Sequence, residues 1–137
     1  MLYPPAWEAY PLASKAWTTV EFAASRATAV PDTAGVYAFL VQPRIDARLD
    51  ASYLFYVGES VSLKDRFRSY LREERGHEHA RQQLYSLFRD FPGRVFFTFA
   101  AVSATKRKAT EDALLEALTP PLNTRLPATI ARAERAF

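Results

Sequence analysis

Glu111, Arg66, Tyr37 and Tyr56 are the residues whose types and positions packing alone does not explain. Glu111 stands three, four and seven residues before Leu114, Leu115 and Leu118, offsets that share one helical face. A carboxylate on an apolar stripe is costly unless it is paired or metal-bound, although in the first turn it can also serve the helix dipole. Lys106, Arg107 and Lys108 open the same helix, where the macrodipole disfavours cations. Either a phosphate is meant to arrive there or the run is simply solvated. Arg66 follows Leu63 by three and precedes Tyr70 by four. Its guanidinium either snorkels to water or reaches the rim of a sheet. Arg68 and Arg72 point elsewhere on that helix. Tyr37 and Tyr56 occupy apolar runs where Phe or Val would pack as well, and buried hydroxyls need partners. His77-Glu78-His79 lacks a third ligand nearby and reads as a surface turn.

The elements that must position these side chains follow from periodicity. Residues 1–17, with three prolines, two tryptophans and two tyrosines, read as an extended arm packing aromatics on the domain. Thr18 and Glu21 have capping-box spacing and predict a short helix to about Ser25. Val36 to Gln42 is a strand apolar enough for burial on both faces. Tyr53 to Val57 is a second strand, antiparallel to the first, with a loop or short hairpin extension between them. Ser62 has N-cap placement with Asp65 three residues on, ahead of a helix over Leu63–Glu74. A second helix carries Ala80, Leu84, Leu87, Phe88 and Phe91 on one face. Arg94 to Val102 is a third strand, and a helix from about Thr105 to Leu118 ends before Pro120-Pro121. Pro127 begins a small terminal helix over residues 127–136. The expected fold is α+β, in the order β-β-α-α-β-α: a three-stranded, mainly antiparallel sheet flanked by helices. Residues 1–29 form the arm and short helix, 30–125 the main domain and 126–137 the tail.

Composition restricts the partners. With 137 residues and 49% hydrophobic content, the chain makes one domain with a real core. It has no cysteine, which excludes disulfides and thiolate metal sites. No apolar run approaches the roughly 20 residues of a membrane span, and Pro4, Pro5 and Pro11 interrupt any leader-like start. A soluble cytoplasmic protein is expected. Residues 64–108 hold eleven Lys or Arg against five Asp or Glu, so the cationic charge is concentrated there. Fourteen of the eighteen basic residues are Arg, the better fork for phosphate oxygens, and clustered basic charge suits nucleic acid.

Five separated elements resemble, in order and spacing, the motifs of the GIY-YIG nuclease family. They are Gly35-Val36-Tyr37; Tyr56-Val57-Gly58 with Ser60 after it; Leu63 with Arg66; Glu111 with Leu114 and Leu115; and Pro120 with Asn123. Tyr70 stands near a position where many members carry His. The resemblance implies a divalent-metal-dependent endonuclease hydrolysing phosphodiester bonds in DNA, branched or damaged DNA included, without a membrane or a small-molecule cofactor. One Mg²⁺ or Mn²⁺ would be held by Glu111, with Arg66 stabilising the phosphoryl group. A tyrosine would position or deprotonate water; Tyr37 is favoured as the base, with Tyr56 orienting it. Tyrosine titrates near about 10 in model peptides, so a base role needs a shifted pKa or a transient phenolate, which Arg66, Lys64 and the metal favour. Gly35, Gly58, Asn123 and Tyr70 would support the site, and Lys64, Arg68, Arg72, Lys106, Arg107 and Lys108 would meet the nucleic acid. A non-cleaving nucleic-acid-binding module of the same fold is the alternative.

Overall fold

The computed structural model describes residues 15–123 apart from 43, 47, 48, 51 and 75–81. Residues 1–14 of the expected arm, the His77-Glu78-His79 turn and the expected helix over 127–136 lie outside the described residues.

The sheet is built around β2 (Gly35–Val41), with β5 (Tyr53–Ser60) on one side and β6 (Val95–Ala101) on the other, both antiparallel to it. Nearly every β2 residue is buried, as its apolar run predicts. The sheet has four strands, not three, because Thr18–Glu21 forms an edge strand, β1, paired with β6. This overturns the helix expected from the Thr18–Glu21 spacing. Thr18, Thr19 and Val20 are β-branched and pack better on a pleated edge than in a helix. Thr19 Oγ1 donates across the pair to Thr98 Oγ1 at 3.0 Å. The helical element comes later, as a 3₁₀ helix over Ala24–Ala29. The link between β2 and β5 carries the expected hairpin extension, as β3 (Arg44–Asp46) and β4 (Leu49–Asp50).

Three helices cover the sheet. In α1 (Leu63–Glu74), Leu63, Phe67, Tyr70 and Leu71 are buried at helical spacing. Ser62 caps it, its Oγ accepting from the Asp65 amide at 3.1 Å and donating to Asp32 at 2.6 Å. α2 is Gln82–Asp90, and a glycine at positive φ, Gly93, turns the chain into β6. α3 spans Arg107–Leu118 and buries Leu114 and Leu115.

The strand alternation sorts the core into two faces. Tyr37, Phe39 and Val41 pack with Phe97, Phe99 and the buried stripes of α1 and α2. Val36 and Ala38 pack with Val57, Ala100 and the leucines of α3. Phe22, Phe39, Phe67 and Phe97 meet edge to face, with centroids 5.1–5.4 Å apart.

The register decides where chemistry can gather. Gly35 pairs with Ser60 on β5 and with Ala101 on β6. The strands leading into α1 and α3 therefore finish at the same end of the sheet. α1 starts three residues after Ser60 and α3 six after Ala101, one helix on each face. Among the described residues, no helix is long and apolar enough to cross a membrane.

Candidate active site at one end of the sheet

Tyr37 is two residues from that end, opposite Gly58. A Cβ at Gly58 would collide with the Tyr37 hydroxyl and Cζ, so the glycine leaves room for the phenol. Gly35 has a related role: a Cβ there would meet the Ala100 carbonyl and Leu63, so its bareness lets β6 and α1 close on the start of β2. Gly58→Ala is expected to destabilise the fold by about 1–3 kcal/mol, the cost of overpacking. Urea unfolding checks this. An unchanged midpoint would mean that the Tyr37 ring is not confined there.

The Tyr37 hydroxyl lies 2.8 Å from the Tyr70 hydroxyl, close enough for either to donate. Both residues are almost wholly buried, at 1% and 0% exposed. Tyr37 is thus a core residue by burial, not a side chain open at the rim. Its ring stacks on Phe97 at 5.1 Å, which fixes its tilt. The Tyr56 ring, half-buried on the same face, is 6.3 Å from the Tyr37 ring. Tyr70, which the sequence marks only as replacing a His, proves to be the partner of Tyr37.

Arg66 precedes Tyr70 by one turn of α1 and is half-buried beside the stripe. It makes no ion pair with any described residue, and neither does Lys64 or Arg68. Lys64 is half-buried; Arg68 and Arg72 are exposed.

Asn123 is clasped to β5 between Tyr56 and Gly58. Its Nδ2 donates to the Val57 carbonyl at 2.7 Å, and its Oδ1 accepts from the Val57 amide at 2.9 Å. The neighbouring Leu122 amide donates to the Phe55 carbonyl at 3.0 Å.

Glu111 is in the second turn of α3, on the opposite face of the sheet from the tyrosine rings. Its side chain is only 13% exposed, as the leucine stripe predicts. It accepts from Lys108 Nζ at 2.7 Å, and Asp112 approaches the same ammonium at 3.1 Å. These contacts, that from Glu111 foremost, hold the Lys108 pKa above its ordinary value, so it stays charged at neutral pH. Arg107 lies 2.6 Å from Glu59, the residue after Gly58. Two of the three cations that open α3 are therefore matched to carboxylates, while Lys106 is exposed. The Glu59–Arg107 contact spans 48 positions and went unread in the sequence. The contacts of Lys108, three and four residues ahead, have the spacing of helical ion pairs.

The described contacts thus join Tyr37 to Tyr70, Gly58 and Tyr56, and tie Asn123 to Val57 between Tyr56 and Gly58. Arg66 and Glu111 come to the same sheet end through the early turns of α1 and α3. Among the described residues, no three His, Cys, Asp or Glu group together as metal ligands. The donor set nevertheless fits a magnesium site of the one-carboxylate kind, in which water and substrate phosphate complete the shell. Glu111 would be its ligand, and the exposed ammonium now on it is a partner a dication could displace. A cavity of about 240 Å³ on the α3 face, lined by Trp17, Ala38, Leu54, Val57, Thr98, Leu114 and Leu118, is apolar and holds none of these groups.

No protein-family model matches the sequence, and no curated protein does. Solved structures are similar in fold. One is a point mutant of the GIY-YIG N-terminal endonuclease domain of UvrC from Thermotoga maritima, bound to its catalytic divalent cation. It is 18% identical, with a TM-score of 0.50, and the match covers 74% of this chain and 93% of that one. The same domain bound to magnesium is 17% identical with a TM-score of 0.49, covering 73% and 93%. Taken with the strand register and the two helices leaving one sheet end, the first of these shows that the chain has the GIY-YIG endonuclease-domain fold.

Proposed function

We propose that the protein is a divalent-metal-dependent endonuclease that hydrolyses phosphodiester bonds in DNA. The observation that carries the reading is the buried Tyr37–Tyr70 hydroxyl pair over Gly58, at the sheet end from which the helices of Arg66 and Glu111 depart. Phenylalanine would fill these two positions without hydroxyls to satisfy. The similarity to a domain that binds a catalytic divalent cation supports the same conclusion.

Bound at Glu111, Mg²⁺ or Mn²⁺ supplies Lewis-acid stabilisation of the phosphate. Arg66, which has no ion pair among the described residues, places its guanidinium against the charge that develops on the phosphoryl group. Tyr37 takes the proton of the attacking water, which reaches it from the half-buried Tyr56 side, and Tyr70, hydrogen-bonded to its oxygen at 2.8 Å, holds the phenol in place. Tyr56 orients the water from the more open side. Lys64, Arg68, Arg72 and Lys106 follow the backbone of the substrate. Branched or damaged duplexes are the candidate substrates.

A second reading, a binding module that does not cut, is favoured by one observation: Glu111 is already matched to Lys108. A panel of supercoiled, branched, nicked and single-stranded DNA, incubated with Mg²⁺, separates the two. The endonuclease reading expects cleavage that chelation stops, and an Arg66→Ala variant slowed by about 10²–10³-fold, the loss typical of one preorganised charge donor. Salt-sensitive binding without any cleavage would establish the module instead.

A further inference from the structure

Arg107 is the first residue of α3, where the dipole disfavours a cation. Its Nη1 donates to the Ala104 carbonyl at 2.7 Å, and its Nε stands 2.6 Å from Glu59 Oε2. The two side chains are mostly buried, at 26% and 25% exposed. The buried Nε–H is aligned on no acceptor among the described residues, so the pair is held by charge, not by a directed hydrogen bond. Screening by salt is weak at such a depth. Glu111 lies four residues further along the same helix, and side chains at that spacing are neighbours. Arg107 nevertheless pairs with Glu59, and Glu111 is left to Lys108, whose side chain is 64% exposed.

We propose that Glu59 is a positioning residue that holds Arg107 off Glu111, leaving Glu111 with an exchangeable lysine that a divalent cation can replace. Without Glu59, the guanidinium turns to the next carboxylate in reach. An arginine fork binds a carboxylate more tightly than an exposed ammonium does, so the metal ligand becomes occupied. The role of the cation rests on the endonuclease reading; the exchange of partners by Arg107 does not.

The test uses the full chain as wild type, Glu59→Gln, Arg107→Gln and the double variant. Each is titrated with Mn²⁺ alone and followed by loss of the free-ion paramagnetic resonance signal, with Glu111→Gln marking the binding that belongs to Glu111. Glu59→Gln is expected to weaken that binding by about tenfold, the scale of one partly buried ion pair, and Glu59→Gln/Arg107→Gln to restore it. A double variant as weak as Glu59→Gln, or a Glu59→Gln that binds like wild type, overturns the proposal. Thermal unfolding in chelator provides a metal-free readout. Glu111→Gln should lower the midpoint more in the Glu59→Gln background than in wild type, because Arg107 then depends on Glu111. Equal losses overturn the proposal. If wild type binds no Mn²⁺ through Glu111, the metal reading falls, and the thermal comparison alone decides whether Arg107 changes partner.

Discussion

Replacing Glu111 by glutamine is expected to reduce Mg²⁺-dependent cleavage by about 10³-fold or more while leaving the fold nearly as stable. The first half follows from the donor set. Glu111 is the one carboxylate on the α3 stripe, and a metal held by one carboxylate has no second protein ligand to keep it. Losing a metal worth several kcal/mol of charge stabilisation costs each turnover that factor or more. The second half follows from exposure. Lys108 is largely in solvent, so the pair it makes with Glu111 is worth at most about 1 kcal/mol. Glutamine fills the same space without a charge to desolvate. Nicking assays and urea unfolding on the same preparation check both halves. A Glu111→Gln enzyme that still cuts at the wild-type rate would remove Glu111 from the site.

Tyr37→Phe should lower the rate constant for cleavage by about 10²–10⁴-fold, the usual contribution of a general base. Tyr70→Phe should do something different. Tyr70 keeps its distance from solvent and reaches the Tyr37 oxygen at 2.8 Å, so it acts through Tyr37. Without that hydroxyl Tyr37 keeps its own oxygen but loses the contact that holds it in place, so Tyr70→Phe should slow cleavage by only about tenfold, the worth of one hydrogen bond. Each single variant loses one buried hydrogen bond, about 1 kcal/mol, and the double variant should lose less than the two together because they share it. A Tyr70→Phe enzyme that cuts at the wild-type rate would mean that Tyr70 only packs.

The sequence made the tyrosine strands readable because their apolar runs sit between turn signals, and burial then has one solution. α1 was readable to its last residue because Ser62, Leu63, Phe67 and Tyr70 give cap and stripe together. β1 was not. A threonine three residues before a glutamate spells a helix start in isolation. What makes it a strand is pairing with Thr98, 79 positions away. Distance along the chain likewise hid the Glu59–Arg107 contact. The Tyr37–Tyr70 bond, though the residues are 33 apart, had a usable signal: two tyrosines at positions that must face each other once α1 packs on β2. Local spacing finds elements and motifs. The polar contacts that tune a motif depend on which distant face lands opposite.

The clasp of Asn123 on Val57 matters for the life of the protein in a crowded cell. β5 is an outer strand of eight residues, long enough to recruit a strand from another molecule. One amide side chain takes both outward groups of Val57, and Leu122 takes that of Phe55, so a visiting strand finds these bonds already made. The opposite border is β1, only four residues long, and it gives a newcomer little to grip. The residue that steadies the tyrosine strand thus also guards the sheet against growing into a neighbour.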